Sequence, residues 1–174
     1  MKKGEKGQVW VETVTYTLIA LVMIGLVLSF AKPKIEELQD KAIIEQSVQM
    51  LKEFDLVVKE VGEGAVGNTR KVETTLKKGS IKIVPSNDQV IFEMDGRYQY
   101  SQPKQTYQEG ALTIYTSQDG KYYPLTITLN YSGNYNITYN SLEDQKIISK
   151  SSTPYEMFIS KKGGTSNNIN IEIN

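Results

Sequence analysis

The chain has 174 residues, and its 20 basic side chains are balanced by 20 acidic ones. That length fits one domain with a short appendage, and a zero net charge lacks the basic excess that nucleic-acid binding requires. The chain contains no cysteine and no histidine, which excludes thiolate nucleophiles, disulfides, zinc fingers and imidazole bases. We therefore expect no enzyme, no cofactor and no nucleic-acid partner.

The first predicted element is an apolar helix near the N-terminus. No charged residue occurs from Thr13 to Ala31. As a helix, this run would be roughly 28 Å long, close to the thickness of the hydrocarbon core of a bilayer. A core helix of a soluble protein would show polar residues at every third or fourth position. The run is therefore expected to span a membrane or to be surrounded by other helices.

The charges that flank this run predict its orientation. Residues 1–7 contain three lysines and one glutamate, whereas residues 32–40 contain two lysines and three acidic residues. The positive-inside rule then places residues 1–7 in the cytoplasm and everything after Ala31 outside. Two N-glycosylation sequons, which begin at Asn130 and Asn136, agree with an extracytoplasmic position. Both asparagines are candidate glycan acceptors.

Glu12 stands at the start of the apolar run. At the headgroup level it would only mark the beginning of the helix, where the macrodipole favours an acid. Deeper in the bilayer a carboxylate is costly and needs a partner. If the chain were cut between Gly7 and Gln8, the new α-amine would lie one helical turn before Glu12 and would supply that partner.

The residues from Lys6 to Glu12, followed by the apolar helix, resemble the class III signal peptide of type IV pilin-like proteins. The Gln after the glycine is more similar to archaeal pilins and archaellins than to bacterial pilins, which have Phe there. In this family a prepilin peptidase cuts after the glycine, and the mature chain carries Glu as its fifth residue, which is Glu12 when counted from Gln8. The resemblance covers residues 1–31.

This resemblance implies a structural subunit of an archaeal pilus-like filament. Gly7 and Gln8 would form the processing site for the peptidase, and Glu12 would act in assembly. The chain would first be a single-pass membrane protein with its C-terminal part outside. It would then join a helical homo-oligomer at the cell surface.

Two other fates of the apolar run remain open. Ser29-Phe30-Ala31 has the small-X-small pattern of an ordinary signal-peptidase site, and cleavage there would release a secreted domain that begins at Lys32. The run is longer than a typical signal-peptide core, however, and Glu12 heads it. An uncleaved run would instead anchor an extracellular β-domain that acts in binding or adhesion.

A second, amphipathic stretch follows and is expected to continue the helix to about residue 62. Pro33 is expected to kink or briefly interrupt it. Apolar residues then recur at three- and four-residue steps from Ile35 through Leu38 and Ala42 to Val61, while charged residues occupy the opposite face. We expect the apolar face to pack on the C-terminal domain of the same chain, and the glycines from Gly62 onward to end the helix.

From about residue 70 the apolar period changes from 3.6 to 2, which indicates β-strands. Seven alternating runs are separated by turn residues, and Asp95-Gly96 is typical of a hairpin turn. These runs are Ile81–Ile83, Val90–Met94, Leu112–Ile114, Leu125–Leu129, Tyr135–Tyr139, Tyr155–Ile159 and Ile169–Ile173. The predicted fold is α+β, with a long N-terminal helix before an antiparallel β-domain of about seven to nine strands.

We thus expect four segments. They are a leader at 1–7, a transmembrane or filament-core helix at 8–31, an amphipathic helix at 32–62 and an extracytoplasmic β-domain at 63–174. Within the last segment, Asp95-Gly96 and Asp119-Gly120 lack the spaced acids of a calcium loop. The eleven tyrosines would suit a binding face, but the general enrichment of tyrosine in strands explains them more simply.

Overall fold

The computed structural model describes residues 5–164 and 167–174, with side chains from Val9 onward. It divides into two compact units, Met1–Leu38 and Gln39–Asn174. One helix, α1 (Glu5–Glu63), belongs to both units. The second unit contains the end of α1 together with all the strands that follow.

The part of α1 in the first unit is apolar and exposed. Its most apolar 18-residue window has a mean hydropathy of 2.3 with none of it buried, so α1 is long and apolar enough to cross a membrane. Pro33 lies inside the helix, which is not interrupted there. Beyond it, Ile35 and Leu38 are both more than half exposed. These two residues therefore do not belong to the buried stripe that the spacing predicts.

The described residues of the second unit form ten strands and one short 3-10 turn at Pro85–Asn87. The strands are β1 (Thr69–Thr74), β2 (Ser80–Val84), β3 (Gln89–Met94), β4 (Thr106–Glu109), β5 (Leu112–Thr116), β6 (Leu125–Asn130), β7 (Asn136–Tyr139), β8 (Lys146–Ser149), β9 (Tyr155–Lys162) and β10 (Asn168–Ile173).

The strands make two sheets. The four-stranded sheet has the order β1-β9-β10-β7, and the six-stranded sheet has the order β4-β5-β6-β3-β2-β8. All pairs are antiparallel except β7 with β10. The predicted α+β class with an antiparallel-rich β-domain is confirmed, with ten strands where seven to nine were expected.

One core joins the end of α1 to both sheets. The buried stripe of the helix consists of Ile44, Val48, Leu51, Phe54, Val58 and Val61. Around a small cavity of about 10 Å³, Leu51 and Phe54 meet Ile81 of the six-stranded sheet and Met157 of the four-stranded sheet. This space barely holds one water. The predicted packing of the amphipathic stretch on its own domain is confirmed from Ile44 onward.

The hairpin predicted at Asp95-Gly96 is wrong. Strand β3, which ends just before it, pairs with β2 and β6 rather than with the next strand. The loop that begins here is held on α1 instead, because the Asp40 carboxylate accepts the Arg97 backbone N–H at 2.7 Å and binds Lys78 Nζ at 2.5 Å. A side chain at Gly96 would crowd this buried aspartate. The glycine is therefore explained by close approach to α1.

The end of α1 is fixed by a lysine from a distant strand. Its last turn contains no basic residue to complement the helix dipole. Lys161 of β9 supplies that charge, since its Nζ donates to the carbonyls of Gly62 at 2.6 Å and Gly64 at 3.0 Å. These carbonyls would otherwise lack partners at the helix terminus. The helix ends at Glu63, within the glycine-containing segment predicted to stop it.

Candidate functional site

Glu12 is an exposed side chain in the apolar part of α1. Every hydroxyl of Thr13, Thr15, Thr17 and Ser29 in this part donates to a backbone carbonyl three or four residues earlier, at 2.8–2.9 Å. These hydroxyls are thus satisfied inside the helix. Among residues with described side chains, no cation forms an ion pair with Glu12. A cationic partner of Glu12 would therefore have to lie outside this set.

The predicted processing pair, Gly7 and Gln8, lies in the first turns of α1. The side chains of residues 5–8 and all of residues 1–4 lie outside what the structure describes. On the backbone, Gln8 and Glu12 are four positions apart in one helix, a spacing that places two residues on the same face. Cleavage after Gly7 stays a prediction.

The two predicted sequons occupy different settings. Asn130 is exposed at the end of β6, and its side-chain oxygen accepts the Ser132 backbone N–H at 3.1 Å. Asn136 opens β7 beside β10, and the hydroxyl of its sequon residue Thr138 donates to the fully buried Asn170 at 3.1 Å. The first sequon is thus the more accessible of the two in the folded chain.

A polar cluster in the second unit was not predicted. Lys52 of α1 and Glu109 of β4 form an ion pair at 2.6 Å, and the Tyr100 hydroxyl donates to the other oxygen of Glu109 at 3.0 Å. Lys52 and Tyr100 hold the pKa of Glu109 below its ordinary value. Burial, with the nearby Glu109 carboxylate, raises the pKa of Tyr100 to about 12. The cluster connects α1 to an edge of the six-stranded sheet.

A buried pair lies further along α1. Asp55 forms an ion pair with Lys59 at 2.6 Å, while its Oδ1 and the Tyr131 hydroxyl make no hydrogen bond of ordinary geometry with the described residues. Burial, and then the negative charge of Asp55, raise the pKa of Tyr131 far above its ordinary value. The hydroxyl thus stays protonated at physiological pH.

The structure opens a groove beside the Glu109 cluster. It has a volume of about 420 Å³ and lies between β4 and the loop that precedes it. Tyr100, Tyr107, Gln102, Gln105, Thr106 and Glu109 line it. Ser101, also in the lining, is already hydrogen-bonded to Thr116 at 2.6 Å. No motif in the sequence indicates this groove.

The other candidates from the sequence were the second Asp-Gly pair and the tyrosines. Asp119 of the second Asp-Gly pair forms a tight turn with Tyr122, through reciprocal backbone hydrogen bonds of 2.9 Å. Across the part of the chain that the structure describes, no group of three or more acidic side chains is placed to hold a metal ion. Of the tyrosines, only Tyr107, Tyr115, Tyr122 and Tyr16 are largely exposed among the described residues.

No family model, no curated protein and no solved structure matches the chain.

Proposed function

We propose that this chain is a structural subunit of an archaeal type IV pilus-like surface filament. The observation that carries the proposal is the exposed apolar part of α1, in which Glu12 lacks a described ion-pair partner while each threonine and serine hydroxyl is satisfied. Exposed apolar surface of this length needs lipid or other helices to cover it. Copies of the same helix would provide that cover in a filament.

In this proposal a prepilin peptidase cuts between Gly7 and Gln8 in the membrane. The new α-amine of one subunit then meets the Glu12 carboxylate of the next, because a buried carboxylate without a cation is strongly unfavourable. The β-domain is carried outside the membrane and becomes part of the cell-surface filament. Asn130 and Asn136 are its candidate glycan acceptors, with Asn130 favoured by its exposure.

The experiment compares Glu12→Gln with Glu53→Gln in the native host. Glu53 is an exposed acid on the same helix, with only a 3.3 Å contact to Gln49. We expect both variants to reach the membrane at wild-type levels, and Glu12→Gln to lose at least about tenfold in filament yield because it removes the charge that pairs with the amine. Filaments are counted by electron microscopy and sheared-fraction blots.

The same preparations report the processing step. Intact mass and N-terminal sequencing should show that the wild type and both variants begin at Gln8, a mature chain of 167 residues after loss of 7 from 174. Wild-type filament yield from Glu12→Gln would overturn the proposed assembly role. A start at Lys32 would mean a secreted domain, and an uncleaved N-terminus would mean a simple membrane anchor.

A membrane-anchored binding domain is the second candidate function. The groove beside Tyr107 favours it, because an exposed aromatic ring among amides and hydroxyls is typical of ligand sites. This candidate needs no polymerisation. Labelled cells would then show scattered protein and no fibres, whatever residue occupies position 12.

A further inference from the structure

On the inner face of the six-stranded sheet, six residues, one from each strand, are aligned in a row. Five of their side chains are buried and one is exposed. The register aligns Ile148, Ile81, Phe92, Ile127, Ile114 and Tyr107 across all six strands. The first five are between 0 and 2 % exposed, whereas Tyr107 is 51 % exposed. Tyr107 therefore occupies a core-facing position that neither α1 nor the other sheet covers.

The uncovered ring forms one wall of the 420 Å³ groove. That volume falls within the range of about 300–1,000 Å³ that is usual for small-molecule sites. The side-chain amides of Gln102 and Gln105 also line the groove, and no hydrogen bond among the described residues occupies either amide. Each of them can both donate and accept.

The charges around the groove exclude several ligand classes. The described residues that line it include one carboxylate, Glu109, and no cation, which disfavours phosphates and other anions. Both oxygens of Glu109 are already engaged, one by Lys52 and the other by the Tyr100 hydroxyl. The carboxylate is thus neither an open metal ligand nor an unpaired charge for a cationic ligand. A neutral molecule rich in hydroxyl groups remains.

We propose that this groove is a binding site for a neutral pyranose sugar. The exposed face of Tyr107 would stack on the apolar face of the sugar ring, and the side-chain amides of Gln102 and Gln105 would bind its hydroxyl groups. Glu109, which also lines the groove, is held by its ion pair with Lys52. This site goes beyond filament formation and does not depend on it, because all its residues belong to the second unit.

The test is a titration of full-length protein in a zwitterionic detergent, because a maltoside detergent would itself present a sugar. Tyrosines are labelled with fluorine, and the Tyr107 resonance is assigned by its loss in Tyr107→Phe. The probes are glucose, galactose and N-acetylglucosamine. Glycerol, which has hydroxyl groups but no ring face, and inorganic phosphate serve as negative controls.

We expect at least one pyranose to shift the Tyr107 resonance saturably at millimolar concentration, while glycerol and phosphate leave it unmoved. Tyr107→Ala should weaken binding of that sugar, measured by saturation transfer, at least about tenfold. The matched control is Tyr115→Ala, since Tyr115 is also exposed but lies on the opposite face of the neighbouring strand.

The variants need not disturb the fold, because both rings are exposed, and thermal unfolding checks this directly. The proposal is overturned if no pyranose shifts Tyr107, if glycerol shifts it equally, or if Tyr115→Ala weakens binding as much as Tyr107→Ala. Filament yield from Tyr107→Ala should match the wild type. A failure of sugar binding is thus distinguishable from a failure of the filament proposal.

Discussion

The two parts of α1 are apolar in different ways. In the first, leucines such as Leu21 are exposed on all sides of the helix, whereas in the second a single stripe that includes Leu51 is buried. Leu21 is 61 % exposed and Leu51 is 1 % exposed, although both are leucines in one continuous helix. The helix geometry is shared, so the difference comes from what lies against each part.

The two parts of α1 also differ in whether their apolar side chains are covered within the same unit. The stripe from Ile44 to Val61 is covered by strands of the same chain, and polar contacts such as Lys52 with Glu109 fix its position. The exposed apolar part has no such cover within its own unit. Burial of a leucine contributes about 1.5–3 kcal/mol, so an uncovered run of this length is a strong drive toward lipid or other copies.

The largest expected effect comes from replacing a leucine by alanine in each of the two parts of α1. Leu51→Ala should lower the free energy of unfolding of the second unit by about 2–5 kcal/mol, because it leaves a cavity in the core. Leu21→Ala should leave that unfolding unchanged, since Leu21 is largely exposed. Urea denaturation of full-length protein in detergent, followed by the β-sheet circular dichroism signal, measures both.

Equal destabilisation by the two leucine variants would contradict the expected difference between the two parts of α1. It would mean that the first part of α1 contributes to the stability of the β-domain. A stable Leu51→Ala protein would instead show that the core around α1 is loosely packed. Either result would remove the physical basis for treating the two parts as different surfaces.

Two glycines of α1 test the same difference between its two parts. An added Cβ at Gly62 would overlap the ring of Tyr135, which packs edge-on against Tyr131 at 6.1 Å between centroids. Gly62→Ala should therefore cost about 1–3 kcal/mol by overpacking. Gly25 has nothing within 4 Å of an added Cβ, so Gly25→Ala should be neutral or slightly stabilising to the helix. Thermal melts of both variants in detergent measure the difference.

An unchanged melting temperature for Gly62→Ala would show that Tyr135 moves aside at little cost. In that case the end of α1 is less rigidly held than its contacts with Lys161 indicate. A large loss of stability from Gly25→Ala would reveal packing against the apolar part that the first unit does not contain. The Gly62→Ala and Gly25→Ala variants thus test crowding at the end of α1 and free space within its apolar part.

The sequence predicted the interior of the β-domain better than its edges. All seven alternating runs correspond to strands, because a strand with one face in the core must alternate. The three strands that the pattern missed, β1, β4 and β8, are each at the edge of a sheet. Their residues are mostly exposed on both faces, so no apolar period marks them.

The candidate sites also differ in how far the sequence alone indicates them. Glu12 became a candidate from the sequence because a lone acid beside an apolar run is visible there, and its role stays a prediction. The cluster of Lys52, Tyr100 and Glu109 was not predictable, since Lys52 and Glu109 are 57 residues apart and only the pairing of α1 with β4 brings them together. The exposure of Tyr107 was hidden for the same reason, because it depends on which strand lies at the edge.

The smallest expected effect concerns this tie between α1 and β4. Lys52 and Tyr100 lower the pKa of Glu109 in the folded protein, so on acidification the unfolded chain binds the proton first. The stability that Glu109 contributes is therefore present above its unfolded pKa, near 4.5, and is lost as pH falls through the lower folded value. Glu109→Gln should reduce stability at neutral pH by less than about 1 kcal/mol, because the pair is partly exposed.

The same variant should flatten the dependence of stability on pH below about 4.5, measured by urea denaturation at a series of pH values. Glu73→Gln is the control, because Lys71 also lowers the pKa of Glu73, but in a fully exposed pair that salt screens. Both variants could reduce the dependence of stability on pH below about 4.5 to the same extent at high salt. In that case the ion pair between α1 and β4 is no stronger than a surface contact. The Lys52–Glu109 pair would then add no more than a surface ion pair to the apolar packing of α1, and the charged contacts that matter for its position would be those of Asp40 and Lys161.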